Sequence, residues 1–203
     1  KELIVEINDL GAELMSIKGL KTGTEYLWNG REEFWGRRSP ILFPFVGGLK
    51  EKKYQYHDKT YSMDQHGFAR DMEFQLISIS DNVIWHKLVS NEKTKRNYPF
   101  EFELQVGYEL MDQEIKVLWK VINTGDDVMH FSIGGHPAFY CPLNRVRDNQ
   151  PIDIRSDYFL SFHDKEEIKV SLIDMECGLL MNERKTIKLT EKDNNGKSCL
   201  LPI

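Results

Sequence analysis

Phe102-Glu103-Leu104-Gln105-Val106-Gly107-Tyr108-Glu109-Leu110, followed by the turn Met111-Asp112-Gln113-Glu114 and then Ile115-Lys116-Val117-Leu118-Trp119-Lys120-Val121, decides the fold class. Phe102, Leu104, Val106, Tyr108 and Leu110 fall on every second position, and so do Ile115, Val117, Trp119 and Val121. A period of two is that of a half-buried strand, because successive side chains leave opposite faces of the backbone. The two runs therefore predict an antiparallel hairpin, with glutamates of one strand facing lysines of the other.

Working outward, the same pattern recurs at short and fairly even intervals. Phe74–Ile79 and Val83–Val89 flank Ser80-Asp81-Asn82, and Lys53–Tyr56 and Thr60–Met63 flank His57-Asp58-Lys59. At the start of the chain, Leu3–Ile7 and Glu13–Lys18 flank a turn near Asp9-Leu10-Gly11. Helical spacing is nearly absent; the best candidate is a single turn around Arg31–Trp35, too short to shape a fold. Regular strands with turn signals predict an all-β chain, a large antiparallel β-sandwich or barrel. No fixed repeat suggests a propeller. With no Pro/Ser/Gly-rich linker, residues 1–203 read as one domain.

Of the 203 residues, 40% are hydrophobic and 11% aromatic, enough for a packed core with aromatic faces to spare for stacking on sugars. The net charge of −5, with both signs interspersed, lacks the basic stripe that a nucleic-acid backbone requires. The longest apolar run, Ile41 to Leu49, is interrupted by Pro44, Gly47 and Gly48 and falls far below the ~20 residues that span a bilayer. Cys141, Cys177 and Cys199 are odd in number and widely spaced, which predicts a reducing, cytoplasmic setting. The N-terminus lacks the pattern of a secretory signal.

Two histidine segments carry the chemistry: Gln65-His66-Gly67-Phe68-Ala69-Arg70 and Phe131-Ser132-Ile133-Gly134-Gly135-His136-Pro137-Ala138-Phe139. Glycine beside histidine lets the backbone turn sharply and a ligand come close. An imidazole with an ordinary pKa near ~6.5 can give or take a proton at neutral pH. Phe68 and Phe139 would wall such a cleft. His57, His86, His130 and His163 lack this setting and read as structural. There is no HxH, HExxH or clustered Cys/His spacing for a metal, and no Gly-x-Ser-x-Gly elbow; Ser132 reads as a strand residue. Arg70 and Asp71 read equally as a mutual pair or as ligand contacts, and Arg37 and Arg38 hint at an anion. Trp85 and Trp119 read as core, while Trp28 and Trp35 stay open between sugar stacking and structure.

In order along the chain, Gly11-Ala12-Glu13-Leu14, Glu25-Tyr26-Leu27-Trp28, Ser39-Pro40-Ile41-Leu42-Phe43-Pro44-Phe45-Val46-Gly47, His66-Gly67-Phe68-Ala69-Arg70 and Gly135-His136-Pro137-Ala138-Phe139 resemble the aldose 1-epimerase (galactose mutarotase) family. The likeness is greatest to its bacterial branch related to glucose-6-phosphate 1-epimerases, and it runs from Gly11 to about Leu143. It implies a galactose mutarotase-like supersandwich with a sugar cleft, no metal and no cofactor. The implied activity is interconversion of α and β anomers of a hexose or hexose phosphate. By the same likeness His136 is the general acid toward the ring oxygen and His66 binds and polarises that region; beside them, Arg70 and Phe139 read from their setting as substrate contacts. A small sugar or sugar phosphate would be the partner of a monomer or homodimer, with no nucleic acid or membrane involved. A non-catalytic carbohydrate-binding module of the same fold is the alternative. Two departures stand out. Val46-Gly47-Gly48-Leu49 carries no arginine where the family often has one, and no glutamate matches the family's general base. The ending Cys199-Leu200-Leu201-Pro202-Ile203 leads us to expect a domain that lacks its C-terminal portion. From Asn144 onward only strand-like texture is legible, as in Tyr158–Phe162.

Overall fold

A computed structural model of the chain describes residues 2–141 and 143, together with the backbone of four strands beyond them. The residues divide into two compact units, Lys1–Phe139 and Tyr140–Ile203. In the first, β1 (Leu3–Ile7) pairs with β2 (Leu14–Gly19), and the two-residue β3 (Ile41–Leu42) precedes a hairpin of β4 (Lys53–Tyr56) and β5 (Lys59–Ser62). Next come β6 (Gln75–Ile79), β7 (Val83–Val89), β8 (Phe102–Met111) and β9 (Glu114–Asn123), a four-stranded antiparallel sheet in sequential order. β10 (Gly134–Gly135) returns to pair with β3. In the second unit β11 (Val146–Arg147) pairs with β12 (Gln150–Pro151), and β13 (Glu166–Ile173) with β14 (Leu180–Leu189), both antiparallel. Tyr158–Phe162, Cys177 and Cys199 lie outside the described residues; Cys141 is exposed and forms no disulfide among the described residues.

The expected hairpins are all present. β8 and β9 pair from Phe102 opposite Asn123 to Met111 opposite Glu114, which sets Glu109 against Lys116. Phe102, Leu104, Val106 and Tyr108 share the inner face of β8 and are buried, with Leu88 of β7 beside them. They meet Ala12, Leu14, Phe43, Phe74, Tyr98 and Phe100 in one cluster. At about 25 cal/mol per Å² of apolar area, burial of this face favours folding.

Trp85 and Trp119 correct the expectation that both are core. Trp119 does lie on the inner face, opposite Val106, but 40% of it is exposed. Among the described residues β9 is the outermost strand of its sheet, and there the inner face opens into an apolar cavity of about 790 Å³ lined by Leu14, Ile41, Tyr108, Val117 and Trp119 among others. Trp85 is half-buried on the other face, its indole lying over Gly107, where a Cβ would come within 2.6 Å. The turn at Arg31–Trp35 forms as one hydrogen-bonded loop, with Phe34 and Trp35 amides donating to the Arg31 carbonyl. A four-residue helix α1 (Glu92–Lys95) has no forerunner in the sequence pattern; it is closed by a capping box between Asn91 and Thr94. Ser132 lies outside any strand and donates its amide to Pro44 O.

Two buried polar groups tie the layers together. Tyr108 donates its hydroxyl to Ala12 O at 2.7 Å, joining the sheet to the turn after β1. His86, 1% exposed, sits with Nε2 3.1 Å from Asp9 Oδ1, a structural role as expected. Burial holds the His86 imidazole below its ordinary pKa against the opposing pull of Asp9. Replacing Tyr108 with Phe strands the Ala12 carbonyl in a dry site and is expected to cost about 1–3 kcal/mol, read as a lower urea midpoint at unchanged slope.

Candidate functional site

The first histidine is placed by a backbone contact so close that only glycine fits. Gly67 pairs with Phe43, and a Cβ on Gly67 would stand 2.2 Å from Phe43 O. Gly67 also has φ +74° and His66 φ +69°, both left-handed, so the chain reverses sharply through the pair as the sequence suggested. Phe68 and Ala69 both donate their amides to Phe43 O, which pins the chain on the far side of the reversal. His66 is thereby turned toward Gly47: its amide donates to Gly47 O at 2.9 Å, and Gly47 N–H donates to its Nδ1 at 3.0 Å.

The second histidine is held differently. Gly134 and Gly135 are extended and paired with Leu42 and Ile41, so their role is close packing rather than a turn; Val46 lies over Gly134. His136 N–H donates to Pro40 O, Ala138 N–H to Arg38 O, and Trp28 N–H to Ala138 O. The loop Arg38–Ser39 is in turn anchored by the buried Glu13, whose Oε1 accepts both amides at 2.7 and 2.8 Å. The imidazole of His136 lies between that of His66, with centroids 6.2 Å apart, and the indole of Trp35 at 5.1 Å. Its Nδ1 is buried with no hydrogen-bond partner among the described residues. Trp35 is itself carried by Trp28, whose Nε1–H donates to Trp35 O, and Arg31 caps the faces of Trp28 and Phe34. Trp28 and Trp35, open at the sequence level, thus belong to the wall behind His136. Only their loop setting and Arg31–Trp35 spacing hinted at it.

Arg70 stands beside this pair. Its Nη2 donates to Gln65 O at 2.8 Å, and its Nε lies 3.7 Å from Asp71 Oδ2. Arg37 takes the other Asp71 oxygen at 2.6 Å and reaches Arg70 O. Arg38 donates to Met15 O. Burial, then the Arg70 guanidinium and His136, hold the His66 imidazole below its ordinary pKa. Phe139 is not brought to the histidines. In an extended segment alternate residues leave opposite faces, so Gly135, Pro137 and Phe139 line the apolar cavity while His136 faces the other way. Glu25, in the Glu25–Trp28 motif, is structural: its carboxylate accepts the amides of Ile17 and Leu27 and the Ser16 hydroxyl. No three His, Cys, Asp or Glu side chains converge on a metal position among the described residues.

This geometry carries two expected outcomes. Gly67→Ala must both adopt a left-handed φ and open the contact with Phe43, so a loss of more than about 2 kcal/mol in chemical denaturation is expected. His66 and His86 both favour the neutral form in the fold, whereas the unfolded chain titrates near ~6.5. Stability from these groups is therefore complete above ~6.5 and is lost as the pH falls through their lower folded values. NMR titration of the two imidazoles, beside urea midpoints at each pH, checks this.

The arrangement has known relatives. Residues 1–180 match the family model described as aldose 1-epimerase. The plasmid-encoded Protein LacX of Lactococcus lactis subsp. lactis is 35% identical over 184 residues, which are 88% of this chain and 59% of that protein. The solved galactose mutarotase related enzyme of Lactobacillus acidophilus superposes with TM-score 0.81 at 36% identity, over 91% of this chain and 59% of that one. A galactose mutarotase-like protein of Lactobacillus casei gives 0.67 at 39% identity, over 68% of this chain and 47% of that one. The chain thus spans about three-fifths of the curated relatives it matches, and its all-β architecture is the galactose mutarotase-like one. With an aldose 1-epimerase model matched over most of its length, this chain belongs to the aldose 1-epimerase family.

Proposed function

We propose that the protein is an isomerase that interconverts the α and β anomers of an aldose. The observation that carries this reading is the pair of imidazoles, His66 and His136, with ring centres 6.2 Å apart and held by backbone contacts rather than by each other. Opening a cyclic hemiacetal requires one proton to reach the ring oxygen while another leaves the anomeric hydroxyl. The free aldehyde then rotates about C1–C2 and recloses on either face. His136 is the general acid toward the ring oxygen, and His66 binds and polarises the same region. Among the described residues, the buried Glu13 and the half-buried Glu25 are both committed to backbone amides, so neither is the proton acceptor.

The arginines favour an uncharged sugar over a sugar phosphate. Arg37 is paired with Asp71, Arg38 with the Met15 carbonyl, and Arg70 with the Gln65 carbonyl and Asp71. Asp71, shared by Arg37 and Arg70, weakens the pull of these two guanidiniums on a phosphate, whereas sugar hydroxyls can accept from the remaining N–H groups of Arg70 whatever the net charge. Phe139, on the far face of its segment, stands outside this role.

Without an assigned base, a sugar-binding module without catalysis is the second reading. Polarimetry and anomeric NMR exchange on α-D-glucose, α-D-galactose and glucose 6-phosphate separate the two. Acceleration of the free sugars that falls by about 10²–10⁴ in His136→Asn is expected for general acid catalysis. Saturable binding with no acceleration would select the module, and faster turnover of the phosphate would overturn the neutral-sugar assignment.

A further inference from the structure

We propose that Gly47 is the positioning residue of this site, fixing His66 as a neutral imidazole whose proton sits on Nε2. His66 then acts as a hydrogen-bond donor and leaves proton exchange to His136. The catalytic half of this statement rests on the anomer-exchange reading above; the tautomer does not.

Gly47 and His66 are joined by two reciprocal hydrogen bonds, His66 N–H to Gly47 O at 2.9 Å and Gly47 N–H to His66 Nδ1 at 3.0 Å. A backbone N–H can only donate. Nδ1 can therefore accept this bond only when it bears no proton, which in a neutral ring places the proton on Nε2. In an imidazolium, Nδ1–H would face Gly47 N–H, donor against donor. The contact thus selects both the tautomer and the charge state, and the neighbouring Arg70 favours the same charge state. A His66 that is neutral and protonated on Nε2 cannot accept a proton at the nitrogen left free for substrate.

The geometry depends on glycine for one reason. Gly47 has φ +86°, in the left-handed region, and this orientation turns its N–H toward the ring. A Cβ there would meet nothing within 4 Å, so space is no obstacle and the backbone conformation alone excludes other residues. Gly48 next to it has no positive φ and is equally open, which makes it a matched control. Asparagine tolerates the left-handed region better than any other residue with a side chain, which makes it the conservative replacement.

The test is long-range ¹H–¹⁵N correlation of ¹⁵N-histidine-labelled protein at neutral pH, assigned with His66→Gln. The wild type is expected to show His66 with Nδ1 unprotonated and Nε2 protonated. Gly47→Ala should convert this to a mixture of tautomers and raise the pH at which His66 titrates. Gly47→Asn should restore the wild-type signature and Gly48→Ala should keep it. In anomer exchange, Gly47→Ala should lower kcat by up to about 100-fold with little change in KM, as expected for a misplaced group. A proton on Nδ1 in the wild type overturns the proposal, and so does an unchanged His66 signature in folded Gly47→Ala. The wild-type spectrum decides the tautomer even if Gly47→Ala does not fold. A locked tautomer in a protein that accelerates no sugar would leave the positioning role standing and remove the epimerase reading.

Discussion

The approach of Gly67 to the Phe43 carbonyl is the contact on which the site depends. Phe43 belongs to the buried core, stacking at an angle on Phe102 and Tyr98, and its carbonyl accepts the amides of both Phe68 and Ala69. One peptide unit thus anchors the His66 loop to the four-stranded sheet. The left-handed conformations of His66, Gly67 and Gly47 are local costs, of order 1 kcal/mol for the non-glycine residue. They persist because the surrounding bonds leave the chain no cheaper route. The rigidity of the core is in this way handed directly to an imidazole.

Charge is balanced just as closely. Arg37, Arg70 and two imidazoles crowd one region, and Asp71 is shared between the two guanidiniums. Asp64 and Glu13 also act on Arg70, and the burial of Arg70 works against its charge. The net effect is a site with fixed dipoles and little uncompensated charge. That suits the proposed anomer exchange, in which a neutral sugar only redistributes protons.

Much of this architecture is legible in the sequence. Alternation over Phe102–Leu110 of β8 marks that strand, and β9 keeps an apolar residue at every second position from Ile115 to Val121, because a period of two is that of a half-buried strand. The two histidines stand out through their glycine neighbours, although for different reasons: Gly67 reverses the chain, while Gly134 and Gly135 only make room. The misses share a physical origin. Helix α1 is four residues long, too short for any periodicity, and rests on one capping box. Trp119 has the parity of a core residue, but parity does not report that β9 is the outermost strand of its sheet among the described residues. Phe139 is near His136 in sequence and on the opposite face in space. Gly47 makes its contact to His66 with a backbone N–H, which leaves no side-chain mark to read.

The bond from Tyr108 to the Ala12 carbonyl joins residues 96 positions apart, and the amide of His136 reaches back comparably far to Pro40. Such distant pairings form only after the loop between them has been closed, and they make a chain fold slowly. The imidazole pair is assembled from the same distant segments. It therefore cannot exist until those distant segments have met, and hairpins closed by local pairing carry no site by themselves.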